Sequence, residues 1–458
     1  MSAKVSEAKA KMLLEEPIRT LIPKMAVPTI LAQLITTIYN LVDTYFVSSL
    51  GTNATAAVGV NASLEQGITL IGTLIGVGTS SYVARLLGAK NQNKADEVLS
   101  TALFTGVIAG LFVAVMGSFN MVNMVNFLGA TDDCRSYSMQ YAAYVLCAAP
   151  FIITSFILNQ CLRSEGSATL ALVGIGFGGI LNCFLDPLFI FKLDLGVAGA
   201  SMATAISKVV SCVILIFPYV AGRSIIKMSV RKIHFIKEDI VEVVSIGVSS
   251  FLRSGLGVVA TTAMNHVAGG YSTSVLAAIS VANRVMNFPF AVVLGFGQGF
   301  QPVVGYNWGA KRLDRAKESF RFSSVISLAV SAVIGVFLFI FARSAIHLFS
   351  DADSEMMRIG ALCIRLQCIT LPIHAWVSVI NMLYAGIGKP RQALILSTAR
   401  QGYCLLPLLL IMPLLFGVNG IAACQAAADA LALFAAVPLA IMGARILGNS
   451  NIEKKEAA

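Results

Sequence analysis

Residues 25–43 read MAVPTILAQLITTIYNLVD, an apolar run that ends on a carboxylate, Asp43. A second apolar run, GILNCFLDPLFIF at 179–191, contains another carboxylate, Asp186. A helix needs about 20 mostly apolar residues to cross a bilayer. A charge inside such a helix is costly unless it faces a cavity or a partner. Both acids are therefore candidate functional residues.

The chain as a whole is also strongly apolar. Hydrophobic residues make up 57% and charged residues 12% of the 458 positions, and the mean hydropathy is +0.81. A soluble chain of this length cannot bury so much apolar surface. The runs are ~20 to 30 residues long, whereas a membrane β-barrel would show ~10-residue alternating segments. We predict an all-α integral membrane protein with twelve spans, centred near residues 35, 69, 111, 149, 180, 209, 253, 290, 331, 371, 403 and 432.

The net charge of +10 follows the predicted topology. Of the 33 Lys and Arg, 24 lie on one side of the membrane, four on the other and five within spans. Loops rich in Lys and Arg stay in the cytoplasm. We therefore expect a plasma-membrane protein with both termini in the cytoplasm and no nucleic-acid partner. The N-terminal segment, MSAKVSEAKAKMLLEEPIR, is charged and does not have the pattern of a cleavable signal peptide.

The chain also repeats itself. GAK at 88–90 recurs at 309–311, and GVAG at 196–199 is similar to GVNG at 417–420, with the same offset along the chain in both cases. Six spans in each half leave the halves in the same orientation, a repeat arrangement of secondary transporters that bind substrate between the halves. We predict an N-lobe at residues 1–221, a basic cytoplasmic linker at 222–237 and a C-lobe at 238–458.

A polar stripe marks the first span. Residues three and four apart share one face of a helix, and the members of this stripe are Thr36, Tyr39, Asn40 and Asp43. Pro28 lies about four turns before Asp43 at ~3.6 residues per turn. Proline has no N–H and clashes with the preceding turn. We predict a helix hinge at Pro28.

The fifth span adds an amide and the second acid. Asn182 and Asp186 are four residues apart, Pro187 follows directly, and Thr204 lies nearby in the sixth span. With Asp43, these side chains offer oxygen ligands, which hard cations prefer. A proton fits equally well, because a desolvated carboxylate near another favours its protonated form. We predict a coupling-ion site for Na⁺ or H⁺ and no other cofactor. The alternative is that each acid is a buried, paired structural residue.

The second half has no acid near the equivalent positions, residues 264 and 407. The charged span residues whose roles stay open are Glu65, Arg253, Arg284 and Asp429. We expect Arg253 or Arg284 either to pair with one of the two acids or to snorkel toward the membrane surface. Because Asp43 and Asp186 both lie in the first half, coupling is expected to depend on residues before about 222.

Enzyme motifs are missing. The sequence has no Walker A segment, HExxH, GxSxG or Rossmann fingerprint, which disfavours an ATP-driven pump and an enzyme. The nine cysteines form no CxxC pair, and their odd number argues against a disulfide framework. We predict a secondary active transporter.

Several segments resemble one transporter family. They are PTILAQLITTIYNLVDTYFVSSLG at 28–51, AVG at 57–59, the GAK loop, and GQGFQPVVGYNWGA at 297–310. Together they resemble the multidrug and toxic compound extrusion (MATE) transporters of the MOP superfamily, in particular the DinF-like branch. The resemblance covers nearly the whole chain.

The resemblance implies a V-shaped, two-lobe antiporter that exports drugs, such as organic cations or other amphipathic compounds, against an inward flow of protons or sodium. We expect the chain to work as a monomer in the lipid bilayer. The polar residues that would line the N-lobe cavity are Thr36, Tyr39, Asn40, Tyr141 and Asn159. A lipid-linked oligosaccharide flippase of the same superfamily is the alternative, because the second half is basic.

Overall fold

The computed structural model describes residues 2–347 and 354–448, with side chains from residue 7 onward. Two basic residues of the predicted cytoplasmic side, Lys454 and Lys455, lie outside these ranges. Within them the chain is helical and contains no strand. This confirms the predicted all-α fold.

The helices of the first half are α1 (Ser2–Glu15), α2 (Ile18–Ser48), α3 (Thr52–Gly88), α4 (Gln92–Phe119), α5 (Met121–Phe127), α6 (Asp132–Ser164), α7 (Ala168–Pro187) and α8 (Gly196–Val220). The helices of the second half are α9 (Lys237–Gly269), α10 (Thr273–Gly309), α11 (Leu313–His347), α12 (Ser354–Gly386), α13 (Pro390–Thr398) and α14 (Leu405–Ile446). Two π-helical segments, Leu188–Lys192 and Ala399–Cys404, follow α7 and α13, and a 3₁₀ turn covers Val230–Lys232.

Eleven helical segments in the described ranges are long and apolar enough to cross a membrane. The last, Pro390–Ile446, has 57 residues. At 1.5 Å per residue it would be about 85 Å long, more than twice the hydrocarbon thickness. The backbone of Gly417 breaks it, with φ 56° and ψ −136°. It therefore supplies two spans, and the predicted total of twelve is confirmed.

The two halves have the same local geometry. Lys90 and Lys311, in the repeated GAK loops, both have left-handed backbones with φ of 60° and 57°. Gly196 and Gly417, which begin the repeated GVxG segments, have φ of 53° and 56°. The two pairs are related by the same offset along the chain. The lobes are thus pseudo-symmetric, as predicted.

A symmetric pair of close contacts joins the lobes. A Cβ on Gly88 would lie 2.1 Å from the carbonyl oxygen of Tyr306, and a Cβ on Gly309 would lie 2.0 Å from that of Arg85. The two glycines are equivalent in the repeat, and so are the two residues that they contact. Only glycine permits two backbones to approach so closely, and small residues are typical of tight helix packing in membranes.

The lobes meet at one end and diverge at the other. The described contacts between α2 or α3 and α9 or α10 come from residues 26–33, 74–88, 239–247 and 295–309. Farther along α9, Cβ atoms on Gly255 and Gly257 would have no atom within 4 Å. The closed end is the one that carries the basic loops. A cleft therefore opens between the lobes at the opposite end.

Helix α1 lies across the closed end and contacts both lobes. Lys9 Nζ forms an ion pair with Glu165 at 2.8 Å, at the end of α6. On the other side, Asn307 Nδ2 of α10 donates to the Leu13 carbonyl at 3.3 Å. The end that carries the basic loops is therefore covered as well as closed.

Candidate functional site

The two span acids meet inside the N-lobe. Helices α2 and α7 pack together, and the carboxyl groups of Asp43 and Asp186 interact within hydrogen-bonding reach. Asp43 Oδ1 and Asp186 Oδ2 are buried and receive no hydrogen bond from the described residues. An ionised carboxylate can accept hydrogen bonds but cannot donate one. Two ionised carboxylates at close range repel each other, so a proton shared by the pair or a cation between them would stabilise this arrangement.

The predicted amide and hydroxyl belong to the same cluster. Asn182 Nδ2 donates to Asp186 Oδ1 at 3.0 Å and lies 3.4 Å from Thr204 Oγ1. The hydroxyl of Tyr141, on α6, in turn interacts with Thr204. The structure thus brings together all four residues predicted for the ion site and one residue predicted for the cavity.

The sequence explains why α7 presents its acid here. Asn182 and Asp186 are four residues apart and therefore share a face of α7. Pro187 ends the regular hydrogen bonding, because it has no N–H to donate, and the backbone continues as the π-helical segment Leu188–Lys192. Such π-helical turns are frequent at functional sites. Asp186 itself is fully buried.

Lys208 is a member of the cluster that sequence reasoning missed. Its Nζ lies 2.8 Å from Glu65 Oε1 and 3.0 Å from the hydroxyl of Tyr39, and its charge acts on Asp43. Of the roles that the sequence left open for Glu65, pairing with Arg253 or Arg284 is therefore not the one seen among the described residues. The sequence could have indicated Lys208 by its spacing on α8, because it follows Thr204 by four residues and so shares its helix face.

Two polar residues of the predicted stripe are not joined to the cluster in the described part of the chain. The Thr36 hydroxyl donates to the Ala32 carbonyl at 2.9 Å, within its own helix. Asn40 is exposed. Helix α2 therefore contributes Tyr39 and Asp43 to the cluster.

Asn159 takes part in a different set of contacts. Its Nδ2 donates to the Ala171 carbonyl at 2.9 Å, and its Oδ1 accepts from Arg163. In the second half, Asn381 Nδ2 donates to the Ala393 carbonyl at 2.8 Å. Asn381 and Ala393 lie after Asn159 and Ala171 by nearly the same number of residues that separates the repeated loops. A contact that recurs in both lobes favours a packing role. Arg163 is itself a buried residue of α6.

The predicted hinge lies in an uninterrupted helix. Helix α2 runs from Ile18 to Ser48 through Pro23 and Pro28. Pro28 cannot donate to the carbonyl four residues earlier, so that turn has one hydrogen bond fewer. Close by, a Cβ on Gly295 would lie 2.6 Å from Ile30 Cα, so α2 packs tightly against the C-lobe just after the proline.

The second half has its own charged cluster, with partners that differ from the prediction. Asp429 Oδ1 lies 2.7 Å from Arg400 Nε and 3.5 Å from His374 Nδ1. Of the alternatives left open from the sequence, pairing of Asp429 with Arg253 or Arg284 is therefore not seen among the described residues. Arg284 is exposed. In the described ranges no group of three or more His, Cys, Asp or Glu residues is arranged to hold a metal ion. A Na⁺ at the N-lobe cluster would also need the amide and hydroxyl oxygens.

Two pseudo-symmetric lobes of membrane helices, a cleft between them and a buried ionisable cluster define a secondary active transporter of the two-lobe type. The chain belongs to the MATE family, because the MatE family model matches residues 28–188 and 250–411. Membership makes it a multi-pass membrane transporter and not an enzyme. The resemblance to the MATE family that was identified from the sequence is confirmed.

Two multidrug export proteins are similar to this chain over most of their length. "Multidrug export protein MepA" of Staphylococcus saprophyticus is 29% identical over 401 residues, 86% of this chain and 87% of that protein. The Staphylococcus aureus protein of the same name (strain MSSA476) is 26% identical over 429 residues, 92% and 93% of the two chains.

Solved structures have the same fold. One described as the "outward-facing conformation of a multidrug resistance MATE family transporter of the MOP superfamily" has a TM-score of 0.89 at 24% identity and covers 95% of this chain and 98% of its own. Another, of "MATE in the straight conformation", has a TM-score of 0.90 at 23% identity over 96% and 98%.

Proposed function

We propose that this protein exports organic cations and other amphipathic drugs from the cell by antiport against protons or sodium. The relatives named as multidrug export proteins support the substrate class. The observation that carries the coupling proposal is the direct contact of Asp43 and Asp186. Asn182 and Thr204, bonded beside them, complete an oxygen-rich site for the coupling ion.

The proposed mechanism is competition for the acids. A proton or Na⁺ neutralises the Asp43–Asp186 pair, which lets the carboxyl groups remain close together. A cationic drug in the cavity is attracted by the ionised acids, so its binding is opposed by the bound ion. Alternation follows because each ligand stabilises a different state of the cavity. Pro28 is the proposed hinge, since α2 carries Asp43 and packs against the C-lobe.

The orientation proposed for the protein follows from charge. The closed end carries the basic loops and α1, so we place it and both termini in the cytoplasm. The cleft then opens toward the outside, the side to which a drug is released. The two lobes of one chain enclose this cleft, which supports a monomeric transporter.

The test is transport in proteoliposomes with an imposed proton or sodium gradient and a cationic dye. Asp43→Asn and Asp186→Asn are each expected to reduce gradient-driven dye export at least roughly tenfold. This is the factor by which one bound ligand typically changes the affinity for another. Asp133→Asn, which removes an exposed acid at the start of α6, is the matched control and should retain export. Wild-type rates for both cluster variants under every gradient would contradict the coupling role.

The flippase alternative predicts the opposite dependence. A pyrophosphate-bearing lipid would be held by arginines, so its translocation would depend on Arg253 or Arg284 and tolerate Asp43→Asn. Measuring lipid scrambling in the same vesicles distinguishes the two functions.

A further inference from the structure

An apolar cavity lies at the junction of the two lobes, near the closed end. Its volume is about 160 Å³. Helix α2 of the N-lobe forms one wall, and α10, α11 and α12 of the C-lobe form the others. The cavity is separate from the acid cluster, which is built by α2, α7 and α8 within the N-lobe. Any molecule that fills the cavity therefore contacts both lobes.

Close packing fixes the walls of this cavity. Its lining residues in α2 are three and four apart and so share one helix face; they are Pro23, Ala26, Val27 and Ile30. A Cβ on Gly299 of α10 would lie 2.5 Å from Ala26 Cα. Backbones this close are already in contact, so a movement of α2 toward α10 cannot fill the gap.

The repeat explains why the gap is present. Ser327 and Ser331 line the cavity from α11. The equivalent positions of α4, at the offset of the repeated loops, are Gly106 and Gly110. A Cβ on Gly110 would lie 2.4 Å from Pro150 Cα, so α4 packs directly on α6. Because α11 carries side chains at these positions, it cannot approach α12 at this level as closely as α4 approaches α6.

The lining of the cavity is suited to hydrocarbon. Apart from Ser327 and Ser331, the lining side chains contain only carbon and hydrogen. The Ser327 hydroxyl donates to the Ser324 carbonyl at 3.1 Å, and the Ser331 hydroxyl donates to the Ser327 carbonyl. Both hydroxyl groups are thus engaged within α11. An apolar cavity of roughly 150 Å³ stays free of water and takes up a hydrocarbon of the size of benzene.

The mouth of the cavity opens on the lipid-facing surface. Val27 of α2 and Val330 of α11 line the cavity and are 52% and 42% exposed. The lobes are in contact at this level, so these side chains do not face the cleft. Exposed apolar residues of a membrane span pack against lipid chains. Lys24, which is 55% exposed at the closed end of α2, marks the level of the polar head groups.

We propose that this cavity binds one acyl chain of a membrane phospholipid from the leaflet at the closed end. The chain enters between Val27 and Val330 and reaches Leu371 and Ala375 of α12, which are buried lining residues. An unfilled cavity leaves its walls without dispersion contacts, and the bilayer supplies hydrocarbon at the mouth. The bound chain packs against both lobes and stabilises the protein by its binding free energy.

The test is photolabelling of the full-length protein in nanodiscs. A fraction of the phosphatidylcholine carries a diazirine at the middle of one acyl chain, and mass spectrometry locates the inserted carbene. Leu371 and Ala375 are 0% and 1% exposed, so a chain reaches them only through the cavity. Ala149 and Ile153, equally buried at nearly equivalent positions of α6, are the internal control. Labelling of the α12 pair is expected to exceed that of the α6 pair roughly tenfold, a preference of about 1.4 kcal/mol.

Variants locate the effect. Ala375→Phe adds a ring of the size that such a cavity accommodates, and it should abolish the labelling of Leu371. The matched control is Val336→Phe, which places the same ring on the lipid-facing side of α11, where Val336 is 62% exposed. It should leave the labelling unchanged. Added phosphatidylcholine should also raise the thermal unfolding midpoint of the wild type in detergent, and Ala375→Phe should lose most of this rise.

Three results overturn the proposal. One is equal labelling of the α12 and α6 pairs in the wild type, which needs no variant to fold. The second is an equal loss of labelling in Ala375→Phe and Val336→Phe. The third is loss of labelling when the cationic dye tetramethylrhodamine ethyl ester is added, which assigns the cavity to a carried compound. Labelling is measured without a gradient, so failure of drug export contradicts the proposed function and leaves this test intact.

Discussion

The interiors of the two lobes share a scaffold and carry charges of opposite sign. Lys208 of α8 and Asp429 of α14 occupy equivalent positions in the repeat. Lys208 pairs with Glu65 in the N-lobe, whereas Asp429 pairs with Arg400 in the C-lobe. The N-lobe gathers three carboxylates around one ammonium group. In the C-lobe, the Asp429 carboxylate lies beside the guanidinium of Arg400 and the imidazole of His374.

The contacts that hold each lobe together have changed far less. The asparagine-to-carbonyl bonds of Asn159 and Asn381 recur in both lobes. The close approaches at Gly88 and Gly309, which join the lobes to each other, are likewise equivalent in the repeat. A packing contact involves two partners, so one cannot change alone without leaving a gap or an unpaired polar group. A side chain that faces a cavity has no such restriction. The two lobes therefore differ in their charged pairs, Lys208–Glu65 and Asp429–Arg400, while these packing contacts recur.

The largest expected effect concerns the C-lobe pair. Arg400→Gln leaves Asp429, 3% exposed, without its counter-charge. Breaking a buried pair in this way costs about 3–5 kcal/mol, so the free energy of unfolding in detergent should fall by about that amount. Chemical denaturation followed by tryptophan fluorescence and circular dichroism measures it.

A double variant is the control for this prediction. Arg400→Gln with Asp429→Asn removes both charges and should recover most of the lost stability. Equal stability of the single and double variants would show that Asp429 does not depend on Arg400.

An intermediate effect is expected at the repeated asparagines. Asn159→Ala and Asn381→Ala each leave a backbone carbonyl unpaired in a buried site, which costs about 1–3 kcal/mol. Both variants should lose similar stability in thermal unfolding, and dye export by the two should fall only in proportion to folded protein. A specific loss of export in Asn159→Ala, with Asn381→Ala unaffected, would instead make Asn159 the cavity residue that the family resemblance implies.

The smallest effect on stability is expected at the N-lobe pair. Lys208 and Glu65 are 23% and 26% exposed, more than Arg400 and Asp429, so Lys208→Met should cost less stability than Arg400→Gln. Binding should change more. Removing a cation beside the acids is expected to tighten binding of tetramethylrhodamine ethyl ester roughly fivefold, about 1 kcal/mol at the effective dielectric of such a site.

The control for Lys208 is Lys192→Met, which removes an exposed lysine at the end of the π-helical segment after α7. It should leave dye affinity unchanged. Weaker dye binding in Lys208→Met would show that the lysine organises the cavity and does not repel the cation.

The sequence predicts the membrane spans better than it predicts the contacts of the candidate site. The spans and the repeat are predicted correctly, because hydropathy and repeated motifs are properties of short segments. The grouping of Asp43 with Asp186 is predicted as well, since each interrupts an apolar run. The partners of Glu65 and Asp429 are not. The sequence left open whether Arg253 or Arg284 pairs with one of these acids or snorkels, and it did not single out Lys208 and Arg400, which are visible in it as charges within spans.

By itself, the sequence determined that this chain is a membrane protein of two repeated six-span lobes with isolated acids in the first. Because a charged group in lipid has a high free-energy cost, each one within an apolar run can be recognised as unusual from the sequence. Only the tertiary structure decided which charges neutralise one another and that Arg253 stays unpaired among the described residues. Those facts depend on how each helix is rotated about its axis and on which helices are neighbours. Both are set by packing among all the helices of the bundle and not by any one segment.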